Sequence, residues 1–174
     1  MNLPVIYSWL ASEPGPKMVL EFLKIYGVRE TPGDGDNPEI LAWARELGIK
    51  EYVHDSIAWC GLCMAILASR AGKPVVKDPL WAANWLHFGS PATQAMLGDV
   101  LVFERPGGHH VALYIAEDDI SYHVGGGNQS DMVCITRIVK RRCIGVRRPP
   151  YQVQPANVRP IQVGPTGIIS TNES

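Results

Sequence analysis

The sequence predicts an α+β domain in which N-terminal helices pack on an antiparallel sheet. Two observations carry this expectation. Through Arg70 the apolar residues recur near helical spacing, and from Asp99 they fall in short alternating runs separated by turn residues. Helices first and consecutive strands later is the order of a segregated α+β structure, not of alternating βαβ units. At 174 residues the chain has the length of one domain and can bury a core without metal or disulfide staples.

Each element follows from local signals. Pro16 fits a helix start, Met18, Leu20, Phe22, Leu23, Ile25 and Tyr26 form its apolar stripe, and Gly27 stops it. Thr31 to Pro38 (TPGDGDNP) is dense turn signal. A second helix fits Pro38 to Leu47, with Pro38 in its first turn and Gly48 behind it. A third fits Trp59 to Arg70, closed by Gly72 and Pro74; it is apolar almost all round, which predicts burial. Strands fit Asp99–Glu104, His110–Ala116, Ile120–Val124 and Met132–Val139, with Arg105–Gly108 and Glu117–Asp119 turning between the first three. This places the domain at residues 1–150. Five prolines from Pro149 to Pro165 predict an extended Pro-rich tail over 151–174.

Composition excludes several classes. The net charge of −1 gives no support to nucleic-acid binding. The longest apolar stretch, Ile57 to Ala68, is far shorter than the roughly 20 residues of a membrane helix. The opening MNLPVIYSWLASEPGPK has no basic n-region, and Pro4 interrupts its apolar run, so no secretory signal is read. Cys60, Cys63, Cys134 and Cys143 are then expected as free thiols. Charge is divided unevenly, at −7 over residues 1–131 and +6 over 132–174. The basic end reads as a solvated face, or as a patch from Arg137 to Arg148 that touches an anionic envelope.

The most informative stretch is Trp59-Cys60-Gly61-Leu62-Cys63. Cys60 falls at the start of the buried helix, where backbone N–H groups and the helix dipole favour the thiolate, the form that attacks carbonyls. A cysteine nucleophile needs a base, and the base needs an orienting partner. His110 opens a strand whose Val111, Leu113 and Ile115 face the core, which puts His110 on the other face with Ala112 and Tyr114.

The ordered segments WCGLCMAILASRAG, GDVLVFERPGGHHVALYIAEDD and GGGNQSDMVCITRIV resemble the phage-type cysteine, histidine-dependent amidohydrolases/peptidases (CHAP), papain-like cell-wall hydrolases close to the NlpC-like superfamily. The upstream GVRETPGDGDNPEIL is also similar to the phage branch, and the resemblance covers about residues 16–149. It implies a papain-like fold and an endolysin or virion-associated lysin that hydrolyses peptidoglycan, as an N-acetylmuramoyl-L-alanine amidase or a crosslink endopeptidase. It implies Cys60 as nucleophile, His110 as general base and Asn128 as the residue orienting the imidazole, with Cys60's own N–H toward the oxyanion. Asp55 and Ser56 are open candidates for a side-chain oxyanion donor. No cofactor and no metal are implied. The tail is expected as an arm toward a phage tail protein, and the location as host cytoplasm before release to the wall, or the virion.

The third residue is the open point. A simple hairpin through Glu117–Asp119 sets Leu113 opposite Tyr122 and Val111 opposite Val124, which puts His123 on the face of His110 and Asn128 on the other. A bulge in Gly125-Gly126-Gly127 restores Asn128; His123, Gln129 and Asp131 are its rivals. Cys63, Cys134 and Cys143 read as packing. A zinc site lacks paired-knuckle spacing. A calcium loop at Asp34/Asp36 meets Arg45 at its twelfth position, where a carboxylate is needed. Trp81 and Trp85, four apart, read as core rather than a sugar platform. Two other functions compete. WCGLC is one residue from the thioredoxin-type WCGPC, which makes a thiol–disulfide oxidoreductase the rival enzyme. A non-catalytic phage structural module is the other.

Overall fold

A computed structural model describes residues 3–165, 167–171 and 173. It is an α+β fold. Three α-helices, α1 (Lys17–Ile25), α2 (Pro38–Glu46) and α3 (Cys60–Arg70), precede six strands. These are β1 (Ser90–Pro91), β2 (Val100–Arg105), β3 (Gly108–Glu117), β4 (Ser121–Gly126), β5 (Cys134–Val139) and β6 (Cys143–Arg148). They form one antiparallel sheet in the order β1-β6-β2-β3-β4-β5. The three expected helices and four expected strands are present. Short 3-10 segments at Val5–Ser12, Ala82–His87 and Lys140–Arg142, and strands β1 and β6, are additions. β6 carries Gly145 and two arginines, so its sequence shows little apolar alternation, yet it pairs along β2.

Helix α3 is the centre of the core. Every residue from Cys60 to Ala68 is buried, as its all-round apolar character requires. Phe22 of α1, Trp43 of α2 and the inward residues Val100, Val102, Val111, Leu113 and Ile115 of the sheet share one apolar cluster with it. The opposite sheet face packs a smaller cluster of Leu101, Phe103, Ala112, Tyr114, Val124 and Ile138.

The hairpin register differs from the simple one. Leu113 stands opposite Gly125 and Tyr114 opposite Val124, but Ala116 stands opposite His123, with a bulge between Tyr114 and Ala116. The extra residue sits in β3 near Ile115, not in the glycines of β4. It moves Val124 from Val111 to Tyr114 and His123 from Ala112 to Ala116.

Among the described residues, the segment after β6 forms no named helix or strand, and hydrogen bonds fasten it to the rest of the chain. Ile161 and Val163 bracket the end of β3 through hydrogen bonds with the Glu117 backbone, of 2.8 and 2.9 Å. Asn157 and Arg159 hold Glu13, and Ser170 N–H donates to the Arg137 carbonyl at 2.8 Å. The described residues from Pro149 onward form a strap laid over the helices and sheet.

Gly127 is where the turn after β4 meets α3. A Cβ there would collide with the Trp59 ring and lie 2.7 Å from the Cys63 Cβ. Gly127→Ala therefore overpacks this contact, and we expect a loss of about 1–3 kcal/mol in urea unfolding. An unchanged midpoint would show that the turn yields freely.

Candidate active site

Cys60 is the first residue of α3, and Trp59 before it provides no side-chain cap. The first-turn N–H groups are thus left for other partners. The backbone N–H groups of Val111, Gly61 and Cys60 itself lie near the Cys60 sulfur and favour its thiolate. Burial pushes the thiol pKa up, and these donors, with the positive charge of Arg105, pull partly against it. Val111 follows His110, so the sulfur rests against the backbone that carries the imidazole.

His110 is fully buried on β3, opposite Phe103 of β2. Its Nε2 lies 3.0 Å from Gln129 Oε1, and its Nδ1 is buried without a hydrogen-bond partner. The proton positions follow from the neighbours. Gln129 Nε2 donates to the carbonyls of Cys134 (2.7 Å) and Val124 (3.3 Å). Carbonyls only accept, so the amide can face them only with its NH2, which turns Oε1 to His110. Oε1 also only accepts, so His110 must donate from Nε2. The neutral ring then carries its lone pair on Nδ1, the nitrogen with no partner.

The imidazole partner is therefore Gln129 and not Asn128. Asn128 instead holds a left-handed backbone conformation, φ 56°, in the turn that delivers Gln129. Asn tolerates that conformation better than most residues, which accounts for it by geometry alone. No hydrogen bond joins the Asn128 side chain to His110 among the described residues. The three glycines before it allow the close approach: Gly126 faces Ala112 and the Gln129 amide, and Gly127 faces Trp59 and Cys63.

His123 belongs to a different network. Its Nε2 is 2.9 Å from Asp118 Oδ2 and its Nδ1 is 2.7 Å from the Tyr7 hydroxyl. Asp118 also accepts from the Ser121 hydroxyl, the Ile120 and Ser121 N–H groups, and Arg137. Burial raises the Asp118 pKa, but these donors together hold it well below the usual carboxylate range. The network ties the first residues of the chain to the β3–β4 turn.

The remaining candidates are placed as follows. Asp55 Oδ2 accepts from the Thr31 and Asn37 N–H groups at 3.0 and 2.8 Å, so it clasps the 31–37 turn. Asp36 accepts from the Asp55 N–H at 2.9 Å, and Ser56 is exposed. Cys63 is fully buried, with burial pushing its pKa up, and the Gly127 N–H faces its sulfur. All four cysteines are free thiols. Trp85 is core, its Nε1 donating to the Pro79 carbonyl at 3.0 Å, whereas Trp81 is 73% exposed. Trp81 follows Leu80, whose carbonyl abuts Gly61. The basic stretch is mostly engaged: Arg137 pairs with Asp118, Lys140 with Glu117, Arg142 with Glu173 and Arg148 with Asp99. Arg147 donates to the Phe88 and Gly89 carbonyls. No helix among the described residues is long and apolar enough to cross a membrane.

Burial lowers the His110 pKa to about 4; Glu173 and Gln129 oppose this, and Arg105 and Arg142 add to it. The folded chain thus refuses a proton that the unfolded chain accepts below about 6.5. The stability His110 contributes is present above that value and is lost as pH falls toward about 4. In His110→Gln, unfolding free energy should fall less steeply across this window than in wild type; equal slopes would remove His110 from the account. The proton positions have their own check. In wild type, 15N NMR should show His110 as the Nε2–H tautomer. Gln129→Ala should raise the Nδ1–H fraction, while Asn128→Ala should leave the tautomer unchanged.

No protein-family model matches the chain, and no curated protein matches it.

Proposed function

We propose that this chain is a cysteine amidohydrolase or peptidase acting on the amide bonds of bacterial peptidoglycan, with a papain-like arrangement of Cys60, His110 and Gln129. The observation that carries the chemistry is the locked amide of Gln129. It leaves an unpartnered basic nitrogen on His110, next in sequence to Val111, whose N–H lies near the Cys60 sulfur. The substrate class rests on the resemblance of the WCGLC, GDVLVF–HHVALY and GGGNQ segments to wall hydrolases.

In the proposed reaction the Cys60 sulfhydryl proton passes to His110 Nδ1 while the sulfur attacks the amide carbon. The carbonyl electron pair moves onto oxygen, where the uncapped first-turn N–H groups of α3 are the available donors. Collapse breaks the C–N bond, and His110 returns its proton to the departing amine. Water then gives a proton to His110 and attacks the thioester. The C–S bond breaks, and sulfur recovers the proton. With the thiol pKa raised and the imidazole pKa lowered, the resting pair is neutral, and proton transfer accompanies attack. Gln129 does for the imidazole what Asn128 was expected to do. Trp81 offers an exposed aromatic face for a glycan near Gly61 in the first turn of α3.

The redox reading is less well supported. Cys63 is walled in by Gly127 and Trp59, and α3 follows a turn rather than a strand of a parallel sheet.

The test is digestion of purified peptidoglycan under reducing conditions, with products identified by mass spectrometry. Wild type and Cys63→Ser should release the same products, and Cys60→Ala none above blank. Intact stem peptides mean an amidase, and cut stems or crosslinks an endopeptidase. No release by wild type, or loss of release in Cys63→Ser, would overturn the reading.

A further inference from the structure

Glu173 is buried in a place that its own segment does not explain. Among the described residues of 167–173 it alone is buried, with 0% exposure, and Ile168 nearby is 91% exposed. Its carboxylate meets the Arg142 guanidinium as a two-pronged pair, Nη1 to Oε1 at 2.9 Å and Nη2 to Oε2 at 2.6 Å. The fork is held independently of this partner, because Arg142 Nε donates to the Glu104 carbonyl at 2.7 Å. Glu104 stands opposite His109, and the next pair along the ladder is Phe103 with His110. Phe103 also stands opposite Cys143, the residue after Arg142, so Arg142 lies beside the ladder position of His110, and the Glu173 and His110 charges favour one another.

A rigid guanidinium fork beside a catalytic imidazole selects planar anions of carboxylate geometry. The segment that delivers Glu173 is fastened by exchangeable polar contacts. Ser170 donates to the Arg137 carbonyl, while the Gly167 and Ser170 carbonyls accept from Arg137 and Arg142.

We propose that Arg142 is a carboxylate subsite of the catalytic cleft, and that Glu173 occupies it in place of a carboxylate on the substrate. This deepens the hydrolase reading and rests on it. The substrate is then an amide flanked by a free carboxylate, as the acidic residues of wall peptides supply. The strap must leave before such a substrate enters, so the form described is self-occupied. Arg142 is a specificity-determining residue and takes no part in proton transfer.

The experiment reads the rate at which iodoacetamide alkylates Cys60 in the full chain, mapped by peptide mass spectrometry. N-acetylglutamate serves as the free carboxylate probe, with N-acetylglutamine methyl ester as its uncharged control. Glu173→Ala should be alkylated about tenfold faster than wild type, because the accessible state no longer competes with an intramolecular occupant. N-acetylglutamate should slow Glu173→Ala back toward wild type, and the control should not. In Glu173→Ala/Arg142→Gln the protection should vanish. Arg142→Lys keeps the charge and loses the fork, so in the same background it should protect only weakly, and it serves if the Gln variant does not fold. Alkylation of Glu173→Ala as slow as in wild type overturns the occupancy. Equal protection with and without Arg142, or none in either, overturns the subsite. Because the readout needs no wall hydrolysis, a failure here is distinct from a failure to digest peptidoglycan.

Discussion

The carboxamide of Gln129 spends both of its N–H bonds on backbone carbonyls, one on β4 and one on β5. Those carbonyls belong to a ladder that cannot shift without breaking the sheet, so the amide has one allowed orientation. From that single constraint the tautomer of His110 follows, and from the tautomer the identity of its basic nitrogen. The device costs little. A buried amide satisfied on both ends contributes to stability as well as to orientation, and a half-satisfied one would do neither. Loss of one carbonyl partner would free the amide to turn and the imidazole to exchange its proton between nitrogens.

Cys60 is placed by a different kind of constraint. α3 is apolar on every side, so it is buried along its length, and its first turn is brought under the sheet rather than left at a surface. That burial opposes ionisation of the thiol. The three N–H groups around the sulfur offset part of the cost without adding a charge. Cys60 and His110 are thus both held in their neutral forms by the same apolar surroundings.

Much of this was legible in the sequence, and the rest was hidden for identifiable reasons. Helical spacing and the Gly27, Gly48 and Gly72 stops placed α1 to α3 within a residue or two. The position of Cys60 at the head of an apolar helix, and of His110 on a strand, was readable from period alone. Which residue meets the imidazole was not. The bulge near Ile115 leaves no mark in composition, because β3 is apolar on both sides of it. Asn128 and Gln129 are adjacent, and choosing between them required knowing that Asn128 turns the backbone left-handed. Strand β6 was missed because its arginines are engaged rather than facing water, Arg148 with the buried Asp99 and Arg147 with the Phe88 and Gly89 carbonyls. The fastening of the strap depends on backbone hydrogen bonds, to which side-chain pattern is blind.

The ion pairs of the basic stretch give the uneven charge distribution another meaning. The chain is polarised along its length, acidic through residue 131 and basic beyond it. In the folded state Arg137, Lys140, Arg148 and Arg159 each meet an acid from the earlier part: Asp118, Glu117, Asp99 and Glu13. At physiological salt, attraction between exposed charges fades within about 8 Å. The two poles therefore do not draw the extended chain together; collapse of the apolar helices and strands has to come first. Once the chain is compact, the same charges discriminate among ways of laying the last segment across the sheet. Like-signed mispairings are penalised, and the observed path satisfies all four. The polarity written along the sequence thus acts as an instruction for the final docking step, and it is consumed by it: the finished molecule has interleaved signs where the chain had two ends.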